Sequence, residues 1–360
     1  MEILLDDLER IRTIDRSGML EVQMSMPEAC MNALRLAEEF LEHEKVVDYL
    51  EEAPSSLVIT GMGGSSIGGE ILQDWLLDSS PIPIYVSRSY QLPAYIGEKS
   101  LVFAISYSGE TEETLSCFLD ALSRGCRVMT LTSGGRLKEL SIQQRVPCVT
   151  VPSGLMPRAA LPYLFFPLAL TFSKLIKEKR LEEELEEVPK VLKKMRDDVA
   201  PEVPQKDNPA KRLASDLLHT IPVIYASNGC ASVARRMKTQ FNENSKIPSY
   251  TMVFPEGFHN EIVGYEGQQE LSRPLSVILL RDEEENPRIR AKLEIMKGLM
   301  KGKTKVLREI WIRGETRLAK IFSTLYLGDV TSVYLALLYG VDPTPVESIS
   351  KIKQAPTTYL

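Results

Sequence analysis

An α/β fold of two domains, each around a parallel sheet, is what the sequence predicts, and three observations predict it. Short β-branched runs alternate with longer helical patterns, a charged and proline-rich stretch interrupts the alternation near the middle, and the alternation then restarts. A chain of 360 residues is long enough to hold two separate cores.

Taken in order, residues 1–52 read as acidic helices, and strands follow at 57–60, 84–86, 101–105, 128–131 and 148–151. The segments between them have the length that parallel crossovers need. The apolar stretch 161–172 is interrupted by Pro162 and Pro167 and is too short to cross a bilayer. A very charged helical segment, 175–199, leads into 200–209, whose prolines and polar residues read as a linker, so the domains are set at 1–200 and 208–360. Strands resume at 221–226, 250–254, 275–280 and 305–310. A helix over 317–339 follows, and Asp342-Pro343 marks the start of an additional C-terminal helix around 346–353.

The formal net charge of −6 disfavours a nucleic-acid binder, and an anionic small substrate would need local arginine or lysine to overcome the overall field. The five cysteines are odd in number and scattered, without Cys-x-x-Cys spacing, which points to reduced thiols and a cytoplasmic protein. The opening, Met1-Glu2-Ile3-Leu4, continues acidic rather than basic, so no secretory leader and no membrane association are expected. Three dispersed histidines with no Cys/His cluster make poor zinc ligands, and neither metal nor cofactor is expected.

Two motifs carry chemistry. Gly61-Met62-Gly63-Gly64-Ser65-Ser66 follows the first strand, where a dinucleotide-binding protein has its glycine turn. The third glycine of that fingerprint is Ser66, and the next strand ends in Ser87-Arg88 rather than an acidic ribose ligand, so a nicotinamide cofactor is disfavoured. The glycines still let backbone approach a ligand, with Gly63 and Ser65 beside it. Ser106-Tyr107-Ser108-Gly109-Glu110-Thr111 lies between a buried strand and a helical stretch. A helix N-terminus offers free amides and positive potential, and Ser106, Ser108 and Thr111 add neutral donors for a phosphate. An ordinary Ser/Thr helix cap is the competing reading of the same residues.

These two motifs, together with Pro157-Arg158-Ala159-Ala160, Asn242-Glu243-Asn244-Ser245-Lys246 and Phe258-His259-Asn260-Glu261, closely resemble the bifunctional phosphoglucose/phosphomannose isomerases. The resemblance spans nearly the whole chain in order. It implies two SIS-type α-β-α sandwich domains and a cofactor-free aldose/ketose isomerase. The implied substrates are glucose 6-phosphate, mannose 6-phosphate and fructose 6-phosphate, interconverted through a cis-enediol(ate). It also implies that Ser106, Ser108 and Thr111 hold the phosphate and that Ser65 helps to place the sugar. Arg158 then sits beside the reacting carbons, Glu243 is the base and His259 opens the ring. The family's His comes from the partner subunit, which implies a homodimer with shared active sites.

Ordinary phosphoglucose isomerases carry a Gln seven positions before the active-site Lys, and here Thr344 precedes Lys351 by that spacing. The smaller side chain implies use of both epimers. Lys353 remains an alternative to Lys351.

The residues suit these roles. A carboxylate can carry a proton between adjacent carbons, and Glu243 lies in a polar, cap-prone turn at the end of a helix begun near Ala231. Arg158 is permanently charged and suits an enediolate oxygen. His259 is the histidine placed in a loop, whereas His43 reads as part of a charged helix and His219 as preceding a strand. A non-catalytic sugar-phosphate sensor is the alternative from another class; it would keep its ligand binding and lose nothing when Glu243 is replaced.

Overall fold

The computed structural model describes residues 5–353; the acidic opening at 1–4 and the chain beyond 353 lie outside the described residues. The first sheet contains β1 (Ser56–Thr60), β2 (Ile84–Ser87), β3 (Ser100–Ile105), β4 (Arg127–Thr132) and β5 (Cys148–Thr150), all parallel in the order β2-β1-β3-β4-β5. The second contains β6 (Ile221–Ser227), β7 (Tyr250–Phe254), β8 (Leu275–Arg281) and β9 (Val306–Trp311), parallel in the order β7-β6-β8-β9. In the first sheet the chain steps from β1 outward to β2 and then back across to β3. The loops leaving β1 and β3 therefore diverge at their C-terminal ends, where an open parallel sheet forms its ligand crevice.

The period-two alternation of a strand assigns its faces. Leu57, Ile59, Leu101, Phe103 and Ile105 point into one large core, which also takes Ile224, Ala226, Ile278 and Leu280 from the second sheet. Their neighbours Val58, Val102 and Ala104 face an outer core under the helix Glu112–Ser123. Val223, Tyr225, Val277 and Leu279 do the same under the helix Pro287–Met300. Each sheet is thus the middle layer of an α-β-α sandwich. The expectation of two separate cores holds only for these outer faces, because the main core runs continuously between the two sheets.

The helices of that shared layer differ from the sequence reading in three places. Pro167 does not interrupt its helix, which runs over Leu161–Ile176: Pro162 falls in the first turn, where no amide partner is lost, and Pro167 gives up only the bond to the Tyr163 carbonyl in a helix buried over nearly its whole length. This corrects the length argument: Pro157–Ile176 and Arg317–Leu338 are both long and apolar enough to cross a membrane, and 89% of each apolar window is buried inside the protein. The charged segment is broken at Lys177, left-handed at φ 56°, so that Lys179–Val199 forms a helix of its own. His43 is not inside a helix; its Nδ1 caps the helix Glu44–Glu51 by accepting from the Lys45 amide at 3.2 Å.

The segment 200–208 is pinned in place. The fully buried Lys211 ammonium donates to the Pro201 and Val203 carbonyls at 2.8 Å each, and Asn208 donates to the Ala200 carbonyl at 3.0 Å.

Candidate active site

The glycine turn after β1 packs so closely on the next functional segment that side chains are excluded. A Cβ at Gly64 would lie 2.8 Å from the Pro157 carbonyl oxygen and 3.0 Å from the Arg158 nitrogen. Gly63, at φ +53°, begins the single turn Gly63–Ser65 that feeds the helix Ile67–Trp75. Ser65, 5% exposed, accepts from the Tyr107 amide at 3.1 Å and so ties this turn to the loop after β3.

That loop is the hydroxyl-rich motif, and its hydrogen bonds differ from those of an ordinary Ser/Thr cap. Thr111 occupies the N-cap position of Glu112–Ser123 but makes no capping hydrogen bond; its hydroxyl pairs with Ser106 Oγ at 2.9 Å. The Gly109 amide donates to Ser106 Oγ at 3.1 Å, and Ser108 stays exposed. Ser108 Oγ accepts from the Glu110 amide at 3.3 Å, so the loop's hydroxyls are engaged within the loop while the helix start is left without a side-chain cap. Tyr107 extends the frame: its hydroxyl donates to the Pro152 carbonyl and accepts from the Leu155 amide, both at 2.9 Å. The 152–156 loop that leads to Arg158 is thereby fixed to the hydroxyl-rich loop.

Arg158, 2% exposed, gathers the second half of the site. Its Nε donates to Asn244 Oδ1 at 2.7 Å, Nη1 to Glu243 Oε2 at 3.3 Å, and Nη2 to the carbonyls of Pro343 and Thr344 at 3.0 and 2.9 Å. Burial lowers its pKa while Glu243 opposes the shift, and the guanidinium remains the cation of the site. Glu243 closes the helix Ala231–Glu243, and its side chain keeps 25% exposure, enough to meet a ligand. Asn244 donates to Ser332 Oγ at 2.9 Å and Ser245 to the Ser332 carbonyl at 2.7 Å, which fixes the turn after Glu243 on the helix Arg317–Leu338.

Beside Arg158 and Glu243 lies a cleft of about 80 Å³, lined also by Gly63, Gly64, Arg88 and Arg235, whereas Ser65, Ser106, Ser108, Thr111 and Thr344 are not in its lining. Two larger clefts, of about 730 and 610 Å³, contain none of the expected site residues. Convergent polar groups rather than size mark the site. Glu70, 7% exposed, pairs with Arg88 from the end of β2 and with Arg235 Nε at 3.0 Å from the second half, while Arg88 Nε donates to Ser66 Oγ at 3.1 Å. Burial, and then the charge of Arg235, pull the Arg88 pKa down. Arg236 completes the wall, bridging Asp329 Oδ2 at 2.6 Å and the Arg158 carbonyl at 3.0 Å.

Thr344 joins Arg158 through its carbonyl, and its buried hydroxyl has no hydrogen-bond partner among the described residues. His259 does not join them: it is exposed at the end of the turn Glu256–Phe258, outside the lining of the cleft. Lys351 and Lys353 are both exposed on the helix Glu347–Lys353, and neither makes a hydrogen bond or ion pair among the described residues. Glu70, Arg235, Arg236 and Asp329 escaped the sequence reading because charges within a helical pattern ordinarily mark a solvated face. Arg88 had a signal, the departure from an acidic strand end. Among the described residues there is no group of His, Cys, Asp and Glu that could hold a metal.

Fold and site together define a two-sheet α/β protein of the SIS type that includes phosphosugar isomerases. Residues 206–355 match the family model of the bacterial phospho-glucose isomerase C-terminal SIS domain. The bifunctional phosphoglucose/phosphomannose isomerase of Caldicellulosiruptor bescii is 43% identical over 93% of this chain and 98% of its own length. Its Aquifex aeolicus counterpart is 36% identical over 83% and 89%. A glucose-6-phosphate isomerase like protein from Thermus thermophilus shares the fold at TM-score 0.63 and 24% identity, over 96% and 98%. The chain belongs to the bifunctional phosphoglucose/phosphomannose isomerase family.

Proposed function

We propose that this protein interconverts glucose 6-phosphate and mannose 6-phosphate with fructose 6-phosphate through a cis-enediol(ate). The observation that carries the reading is the Arg158–Glu243 pair, joined to the hydroxyl cradle through Gly64, Ser65 and Tyr107. With the phosphate on Ser106, Ser108 and Thr111, the sugar extends towards the carboxylate. Glu243 takes the C2 proton of the open-chain aldose, and the C–H electron pair becomes the C1–C2 double bond. The negative charge that develops on O1 faces Arg158, whose Nη1 already points at Glu243. Return of the proton from Glu243 to C1, with the O2 proton passing to O1 as the C2=O2 bond forms, gives the ketose and the free carboxylate.

Thr344 supports use of both epimers, because a small side chain there leaves room for the intermediate to turn its other face to the base. A homodimer with shared sites is supported by His259, which is solvent-exposed and absent from the lining of the cleft that Arg158 and Glu243 share. Ring opening by His259 and Lys351 belongs to that assembly.

A coupled assay with both hexose phosphates tests the reading. Wild-type protein turns over both, unchanged by chelator, and turnover of glucose 6-phosphate alone defeats dual epimer use. Glu243→Gln lowers kcat by about 10³-fold, within the range of a lost general base, and keeps ligand binding. A sensor would bind sugar phosphate with no turnover in either protein.

A further inference from the structure

The turn carrying the base holds one charged group that the reaction does not use. Lys246 follows Glu243 by three residues and adopts φ +60°, a left-handed conformation with no intrinsic appeal for lysine. Its ammonium donates to the Glu243 carbonyl and, at 2.9 Å, to the Pro343 carbonyl. Pro343 O also accepts from Arg158 Nη2 at 3.0 Å, so this one oxygen is gripped from two sides. Residues 342–346 form a strap across the site, turned by the Thr344 amide donating to Asp342 Oδ1 at 3.0 Å. Beyond the strap, the helix Glu347–Lys353 has no buried residue, and among the described residues its hydrogen bonds outside itself go only to the Val346 carbonyl of the strap. The contacts of Arg158 and Lys246 are what anchor it.

We propose that Lys246 is a positioning residue: it holds the 342–346 strap against the Glu243 turn and so sets Thr344 and the terminal helix over the site. The clamp stands on geometry alone, and only the use made of it rests on the isomerase reading.

Charge supports a functional rather than a stabilising purpose. The charged groups facing the ammonium are Arg158, Asp342 and Glu243; burial, followed by Arg158, brings its pKa down from 10.5 to about 8. A group with a depressed folded-state pKa contributes fully to stability above its unfolded value, and that contribution shrinks as pH falls and is gone below about 8. At neutral pH the protein therefore keeps a charged lysine here without a stability gain from its ionisation.

The test compares wild type, Lys246→Met and Lys246→Arg by hydrogen exchange over 342–350, by thermal unfolding and by kinetics with glucose 6-phosphate. In Lys246→Met, exchange in this segment quickens and kcat/KM falls, each by about ten-fold, the scale of one charge-assisted hydrogen bond, while Tm does not drop. Lys246→Arg, permanently charged and with donors for both carbonyls, restores both to within about two-fold and flattens the activity profile between about pH 7 and 9. Unchanged exchange in the segment, unchanged kcat/KM, failure of arginine to rescue, or faster exchange throughout a protein of lowered Tm each overturns the proposal. Absence of turnover in the wild type would sink the isomerase reading, while the exchange data would still judge the clamp.

Discussion

At the scale of single residues, the pairing of Ser106 with Thr111 sets the hydroxyl motif apart from an ordinary helix cap. A cap would spend the Thr111 oxygen on its own helix; here it faces Ser106 at 2.9 Å, and the helix start keeps its donors for a ligand. Thr111→Val keeps the shape and removes the hydroxyl. We expect KM for glucose 6-phosphate to rise about ten-fold with kcat within about two-fold, the loss of one hydrogen bond to a charged group. A fall in kcat at constant KM would place the residue at the reacting carbons instead. The cradle was legible because three hydroxyls fall within six positions after an apolar run. The support of Arg158 was not: Asn244, Pro343 and Thr344 lie 86, 185 and 186 residues away, and no local pattern encodes such contacts.

Among elements, the helix Ala231–Glu243 decides where the base sits, and its start is held by the other half of the chain. Cys230 offers it no side-chain cap, and Asp74, on Ile67–Trp75, accepts from the Ser232 amide at 2.6 Å. The same pair of helices carries Glu70 and Arg235, so the cleft and the junction between the sheets share their ion pairs. The helix was legible from the polar residues that end it, but its cap was not, since the capping residue is remote in sequence. Burial raises the Asp74 pKa, against the hydrogen bonds from Ser232. A carboxylate with a raised folded-state pKa stabilises the protein below its unfolded pKa, near 3.9, and that contribution is lost as pH rises through the folded value. Asp74→Asn, which keeps an acceptor oxygen without the charge, should therefore gain stability relative to wild type as pH rises from about 4 to 6. Urea unfolding of both proteins across that interval checks this, and a constant difference would mean that Asp74 is not buried as charge.

For the whole molecule, the alternation of strands and helices made both parallel sheets readable, since each strand is an apolar run bounded by polar turns. The continuous core between the sheets was not readable, because the sequence shows which residues are apolar but not which of a strand's two faces meets the other half. Function raises the same question of which halves meet. Within one chain Glu243 lies against Arg158, while His259 stands exposed on the loop beyond β7. If two chains complete each other's sites about a two-fold axis, Glu243→Gln and His259→Ala proteins, each inactive alone, should complement when mixed. Random reassortment makes half of the dimers hybrids, and one of the two sites in each hybrid contains both Glu243 and His259. Activity then recovers to about one quarter of wild type, as isologous two-fold pairing requires. If the histidine served the carboxylate of its own chain, no hybrid would contain an intact site and the mixture would stay as inactive as its components.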